Sequence, residues 1–383
     1  MKTLEEWTED IEAIVARFRE TDQYYIEKAA KRIAEIGTLL PSDLDRLAVM
    51  MDMYTDIDDI VSRLAEAVAL GERDMQTLFY NILTDVEHNP TVDRAIENGS
   101  LPLTERERFL QYTDAVARQT AREMANLSNT TVLSDTYRKA VDQGVLAVST
   151  GMSDYKSVMR KIIKEIGYNG LQAQYASGYH RRLDSAVRQN ILDATRQVAQ
   201  NAADAVAEAY GIDAIELSAH ARPAPDHAPV QGHVFLREEF DKMQSGSGCT
   251  DIDGNTFDGF PRRIGEWNCM HFAAPFDTRY SVRRYTPEEL GKMLEDNEKG
   301  CDIGGKHYTL YQASQLMRRL ETMSRREKDA ANACRAAGDM DGRRQCQERI
   351  NAISRKYADV AQASGLPMQK ERMSVEGFRR VRL

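Results

Sequence analysis

At 383 residues the chain is long enough for two or three domains, and its 42% hydrophobic, 29% charged and 7% aromatic content suits helices with narrow apolar stripes. The net charge of -9 is unevenly spread: residues 1–100 carry 10 Lys/Arg against 22 Asp/Glu (net -12), and residues 306–383 carry 17 against 9 (net +8). No run of 18 or more apolar residues occurs, which excludes a transmembrane helix, and the acidic start "MKTLEEWTEDIEAIVARF" lacks the apolar region of a signal peptide.

Residues 1–36 place Ile11, Ile14, Val15 and Phe18 on one helical stripe. "GTLLPSDLDRL" then breaks the pattern, with Ser42 as the expected N-cap of the next helix. Further breaks at "NPTVD" and "NGSLPLTERERF", the latter with a Thr104/Glu107 capping box, predict helices over roughly 43–69, 72–87, 104–126, 131–149 and 153–167. "GYNG" at 167–170 marks a turn. From about 171 to 210 the stripe Leu183, Val187, Ile191, Ala194, Val198, Ala202, Val206 predicts one long helix, interspersed with Arg181, Arg182, Arg188 and Arg196 and closed by Gly211.

After Gly211 the texture changes. "IDAIELSAH" reads as a short strand, and prolines and glycines give a loop-rich mixed region to about 280. Helices resume at "TPEEL". Leu310, Leu316, Leu320 and Met323 form a stripe, "AAGDMDG" is a turn, and a helix at about 341–364 returns as an antiparallel hairpin. The expected fold is therefore mainly α with a small α+β domain. Its parts are an N-terminal helical domain (1–167), a long connecting helix (168–211), a compact mixed domain (212–282) and a C-terminal helical hairpin with a basic tail (283–383).

The stretch "SAHARPAPDHAPVQGHVF" (218–235) stands apart, since residues 220–233 hold three of the seven histidines and three of the ten prolines. "NCMH" brings Cys269 and His271 some thirty residues later. Two readings fit. His220, His227, Cys269 and His271 could hold a structural zinc, with Cys249 and His233 as spare candidates. Alternatively, the histidines join Arg222, Gln231 and Asn268 in a hydrogen-bonded network that locks a long loop onto a small sheet. The paired ligand spacing of zinc modules is absent, which favours the network. Five cysteines, odd in number and widely spaced, argue against a disulfide framework and for a reducing compartment.

Catalysis has weaker support. His220, Asn268 and His271 are the residue types of a histidine-metal nuclease, so a metal-dependent hydrolase acting as DNA enters the cell is the alternative function, but the spacing does not suit such sites. No G-x-S-x-G, Walker or H-E-x-x-H motif is present, and a Cys269/His271 nucleophilic pair lacks a third orienting group. "DIDGNTFDG" (251–259) has Arg262 where a calcium loop carries its twelfth-position glutamate, so it reads as a turn.

Three segments in order, "SAH…PDHAPVQGHVF", "WNCMHFAAPF" and "YTLYQASQLMRRLE…GLPMQKERM", resemble the tailed-phage minor capsid protein 2 family, which is related more distantly to head-morphogenesis proteins of the phage Mu type. "GYNGLQAQYASGYHRRLDSAVRQNILDATRQ" fits the same pattern upstream, so the resemblance covers about 165 to the end. Its motif positions fall on His220, His227, Gln231, Gly232, Asn268, Cys269 and His271. The chain departs from the pattern at Ala224 and Met270, where the family carries arginine; a fold-locking role for the histidines does not depend on either. The resemblance implies a non-enzymatic virion component, made in the host cytoplasm and built into the capsid interior or portal vertex in few copies. The portal or major capsid protein would be its partner, and packaged DNA could meet the basic C-terminal hairpin.

Overall fold

The structure, a computed structural model, describes residues 6–36, 43–87, 103–130, 155–175, 177–259, 262–265 and 269–382. Among them are nine α-helices: α1 (Thr8–Ile36), α2 (Asp43–Glu87), α3 (Leu103–Thr130), α4 (Tyr155–Asn169), α5 (Leu183–Ala209), α6 (Arg237–Gln244), α7 (Pro287–Lys299), α8 (Leu310–Ala336) and α9 (Met340–Ser364). Three two-stranded hairpins pair β1 (Gln172–Gln174) with β2 (His180–Arg182), β5 (Cys249–Thr250) with β6 (Thr256–Phe257), and β8 (Cys301–Ile303) with β9 (Lys306–Tyr308). A three-stranded antiparallel sheet has β3 (Ala214–Leu217) between β4 (Val234–Leu236) and β7 (Ala273–Phe276). The protein is thus mainly α with a small α+β region. No helix among the described residues is long and apolar enough to cross a membrane.

The described residues form two compact units, one drawn from 1–14, 70–122 and 189–313, the other from 15–69, 123–188 and 314–383. The first contains the three-stranded sheet, whose core gathers Ile215, Leu217, Val230, Phe235, Phe240 and Ala273. The second has a core of Ala330, Ala331, Cys346 and Ile350, against which Tyr168 and Phe378 pack.

Helix formation follows the apolar stripes, with two corrections. The helices expected at 43–69 and 72–87 are one helix, α2. Gly71 falls on the buried stripe Ile60, Leu64, Ala67, Gly71, Met75, Leu78, Ile82, so packing on that face outweighs the roughly 1 kcal/mol a mid-helix glycine costs. The helix expected over 171–210 is shortened at its front. Gly170 takes φ 55° at the end of α4, and Gly178, at φ 80°, reverses the chain between β1 and β2. The apolar stripe begins at Leu183, and there α5 begins as well, keeping all seven stripe residues buried. Gly211, at φ 60°, follows its end as expected.

α3 starts at Leu103, so Thr104 stands inside its first turn and not ahead of it. Ser42 and the helix expected at 131–149 lie outside the described residues. The β8–β9 hairpin interrupts the C-terminal helices where the sequence showed only a continuation. α8 and α9 return on each other as expected, with Glu321, Glu327 and Cys334 opposite Tyr357, Arg349 and Cys346.

Candidate functional site

The sheet brings the motif together. β3 ends at Leu217, where its antiparallel neighbours begin: Leu217 N–H donates to His233 O on one side, and Leu217 pairs with Ala273 on the other. The segments leaving β3 (218–220), entering β4 (227–233) and entering β7 (269–272) must therefore meet at one end of the sheet. Ser218 and Phe272 tie two of them, the Phe272 N–H donating to Ser218 Oγ and the Ser218 N–H to Phe272 O, both at 2.9 Å. A helical turn over 224–231 seats His227, its N–H donating to Ala224 O at 3.0 Å. Gly232 then turns the chain into β4 at φ 73°, a conformation glycine adopts without strain.

Within this end, Cys269 is the centre. Its Sγ lies 3.4 Å from Nδ1 of His227 and 3.5 Å from Nδ1 of His271. One ligand atom from each of the three residues falls within 4.8 Å of the others, and the residues are 0% (His227), 1% (Cys269) and 3% (His271) exposed. His220 is half-buried, its ring centroid 4.6 Å from that of His271.

Each ring is held from its far side. His227 Nε2 lies 2.9 Å from the carbonyl of Arg262, whose guanidinium grips Asp226 at 2.8 and 2.9 Å. His271 Nε2 lies 3.5 Å from Gln231 Oε1, which also accepts the His220 N–H at 3.1 Å. Arg196 of α5, buried, donates to Gly265 O at 3.3 Å and to Asp193 at 2.7 Å. Burial opposes a thiolate at Cys269, yet the bonds to His227 and His271 outweigh it and bring the thiol down to about 5. Burial likewise opposes charge on His227, but the sulfur and the Arg262 carbonyl raise its pKa.

His220, His227, Gln231, Cys269 and His271 are thus brought together. Arg222 is half-buried in the bend after His220, and Asn268 lies outside the described residues. The spare candidates go elsewhere: His233 Nδ1 sits 2.7 Å from Asp251, and Cys249 pairs in the β5–β6 hairpin, its thiol pushed up to about 11 by burial. Asp251 caps its own turn, accepting from the Asp253 and Asn255 N–H groups, as the turn reading of that loop expects. Sequence reasoning did not find the supporting pairs Arg262–Asp226 and Arg196–Asp193. The only signal was an arginine, Arg196, interspersed among the apolar residues of α5.

The cluster joins the first two of the three segments that carried the family resemblance, so comparison with known proteins bears on the same residues. No curated protein and no solved structure matches the chain. The family model described as phage minor capsid protein 2 matches residues 2–360, including the N-terminal helices that carried no motif of their own. With nearly the whole length covered, the chain belongs to the phage minor capsid protein 2 family, and it is a structural protein of a phage virion.

Proposed function

We propose that this protein is a minor head component that docks on the portal or the inner capsid wall and takes part in head assembly, DNA packaging or delivery. The observation that carries this reading is the family match over residues 2–360. Long amphipathic helices provide surfaces of the kind that lie in grooves of partner proteins. The basic α8–α9 hairpin would meet packaged DNA, and α8 and α9 leave Arg319, Arg326, Arg355 and Lys356 exposed. The buried Cys269 cluster suits a structural role better than hydrolysis, because a metal-bound water acting on DNA needs an open face.

The test is cross-linking of purified virions followed by mass spectrometry, with the copy number measured against the major capsid protein. The proposal expects a substoichiometric head protein cross-linked to portal or to the capsid lumen. Cross-links confined to tail proteins, or copy numbers matching the major capsid protein, would overturn it.

A further inference from the structure

We propose that His227, Cys269 and His271 bind a single zinc ion through Nδ1, Sγ and Nδ1, with His220 closing the fourth position, and that this ion clips the three segments at the end of the β3–β4–β7 sheet.

The convergence of three buried ligand atoms within 4.8 Å of one another carries the inference, and the hydrogens on the two rings agree with it. The Arg262 carbonyl can only accept, so His227 Nε2 bears the hydrogen and its Nδ1 presents a lone pair to Cys269. Gln231 Oε1 accepts the His220 N–H, which fixes the amide's orientation, so His271 Nε2 is likewise the donor and its Nδ1 also faces the sulfur with a lone pair. A thiol has one hydrogen and can satisfy one of these two nitrogens. Moving that hydrogen to one imidazole leaves the other lone pair facing a buried thiolate. Charging both rings places a net positive charge beside Arg196 and Arg262. A divalent cation satisfies both nitrogens and the thiolate at once.

The distances agree. Zn–S of about 2.3 Å and Zn–N of about 2.0–2.1 Å at a tetrahedral angle place sulfur and nitrogen about 3.5 Å apart. The observed separations are 3.4 and 3.5 Å. The outer layer also has the form of a metal site, where ligating histidines donate their second ring N–H to a carbonyl or carboxylate. Here the partners are the Arg262 carbonyl and Gln231 Oε1, with Asp226 holding Arg262 in place. Arg196 and Arg262 are paired with Asp193 and Asp226, which offsets their charge near the ion. One thiolate with imidazoles selects a borderline metal, and zinc imposes no geometry of its own beyond the tetrahedron.

The experiment uses the full chain. Protein purified from zinc-supplemented cells is analysed for metal, then stripped with a chelator and titrated with cobalt(II). The proposal expects one zinc per chain. On cobalt addition it expects the intense visible bands of a tetrahedral ion, together with a sulfur-to-cobalt charge-transfer band. Cys269→Ser abolishes the charge-transfer band, and His233→Gln and Cys249→Ser keep it. His220→Ala weakens cobalt binding at least tenfold. If Cys269→Ser fails to fold, the charge-transfer band of the parent chain and its persistence in Cys249→Ser decide the thiolate ligand. Folded parent protein with neither zinc nor a cobalt band, or a charge-transfer band that survives Cys269→Ser, overturns the site. Unchanged affinity in His220→Ala overturns the fourth ligand.

Discussion

Arg182 donates from Nη1 to Asp329 at 2.8 Å, and the same guanidinium also reaches Asp22, so that one cation on β2 joins carboxylates from α1 and α8. Asp184 stands 3.6 Å from its Nε. All four side chains are largely buried, and removing the one cation they share leaves three carboxylates facing each other in a low dielectric. Arg182→Met should cost about 3–5 kcal/mol, the usual range for breaking a buried ion pair from one side. Arg182→Lys should recover only part, because a single ammonium cannot fork across three acids. Thermal unfolding followed by circular dichroism tests both. A lysine variant as stable as the parent would show that charge alone suffices.

The same cluster gives a pH dependence with a definite sign. Burial raises the Asp329 carboxyl from its ordinary 3.8 to about 7, with Asp22 and Asp184 adding to the rise and Arg182 opposing it. Between about 4 and 7 the folded chain holds a proton that the unfolded chain has released, so this group's contribution falls as pH rises through that window. Asp329→Asn mimics the protonated form and removes the dependence. The melting temperature of the variant relative to the parent should therefore rise from pH 5 to pH 8. A constant difference would place the excess proton on another group.

The contrast between this cluster and the cysteine site shows where the sequence is legible. His227, Cys269 and His271 were readable as a group because prolines, C-x-H spacing and an abrupt loss of helical periodicity flag them. Arg182, Asp22 and Asp329 carry no such mark: they are ordinary charged residues 147 and 160 positions apart along the chain, and only packing reveals that they share a site. Helices were read from stripes, and the stripe of α5 held throughout; that of α8 held only in part, with Leu320 buried, Leu310 and Leu316 half-buried and Met323 exposed. The two largest errors in helix bounds came at glycines, whose effect depends on what surrounds them. Gly71 lies on a buried stripe and leaves α2 intact, whereas Gly178 has open space and reverses the chain. Arg196 was visible among the apolar residues of α5, but its role depends on Gly265, which no periodicity places beside it.

Gly167 of α4 meets the backbone of Ala330 of α8 so closely that an added Cβ would fall inside contact distance of Ala330 Cα and N. Backbone cannot swing aside as a side-chain tip can. Gly167→Ala gains helix propensity but should still lose about 1–3 kcal/mol by overpacking. Gly291, inside α7 with nothing within 4 Å of an added Cβ, is the control: Gly291→Ala should stabilise by a few tenths to about 1 kcal/mol. Paired melting curves check both signs.

Tyr357 ties the tail to the hairpin. Its hydroxyl donates to the buried Glu321 at 2.9 Å and accepts the Gln369 N–H at 2.9 Å. Tyr357→Phe keeps the ring and removes both bonds, leaving Glu321 without that donor, which should cost about 1–3 kcal/mol. Hydrogen exchange at the Gln369 amide should quicken in step, and an unchanged rate would mean that the tail is held by its other contacts.

Those other contacts determine which cations remain for DNA. Arg325, Lys328, Arg335 and Arg343 donate to the carbonyls of Arg372, Met373, Gly377 and Arg379 in turn, so much of the positive charge of α8 and α9 is engaged in holding the chain's own tail. Arg319, Arg326, Arg355 and Lys356 are exposed, and Arg319 and Arg326, seven apart, lie on the same side of α8. If the hairpin meets packaged DNA, these four belong to the contact, along with the exposed Arg344. Replacing the four with glutamine should weaken retention on duplex DNA at low salt and flatten the dependence of log affinity on log salt by about 0.9 per lost phosphate contact. Folding should be unaffected, since none of the four is buried. An unchanged slope would assign the hairpin to a protein partner, and portal binding in the same variant would then be the quantity to follow.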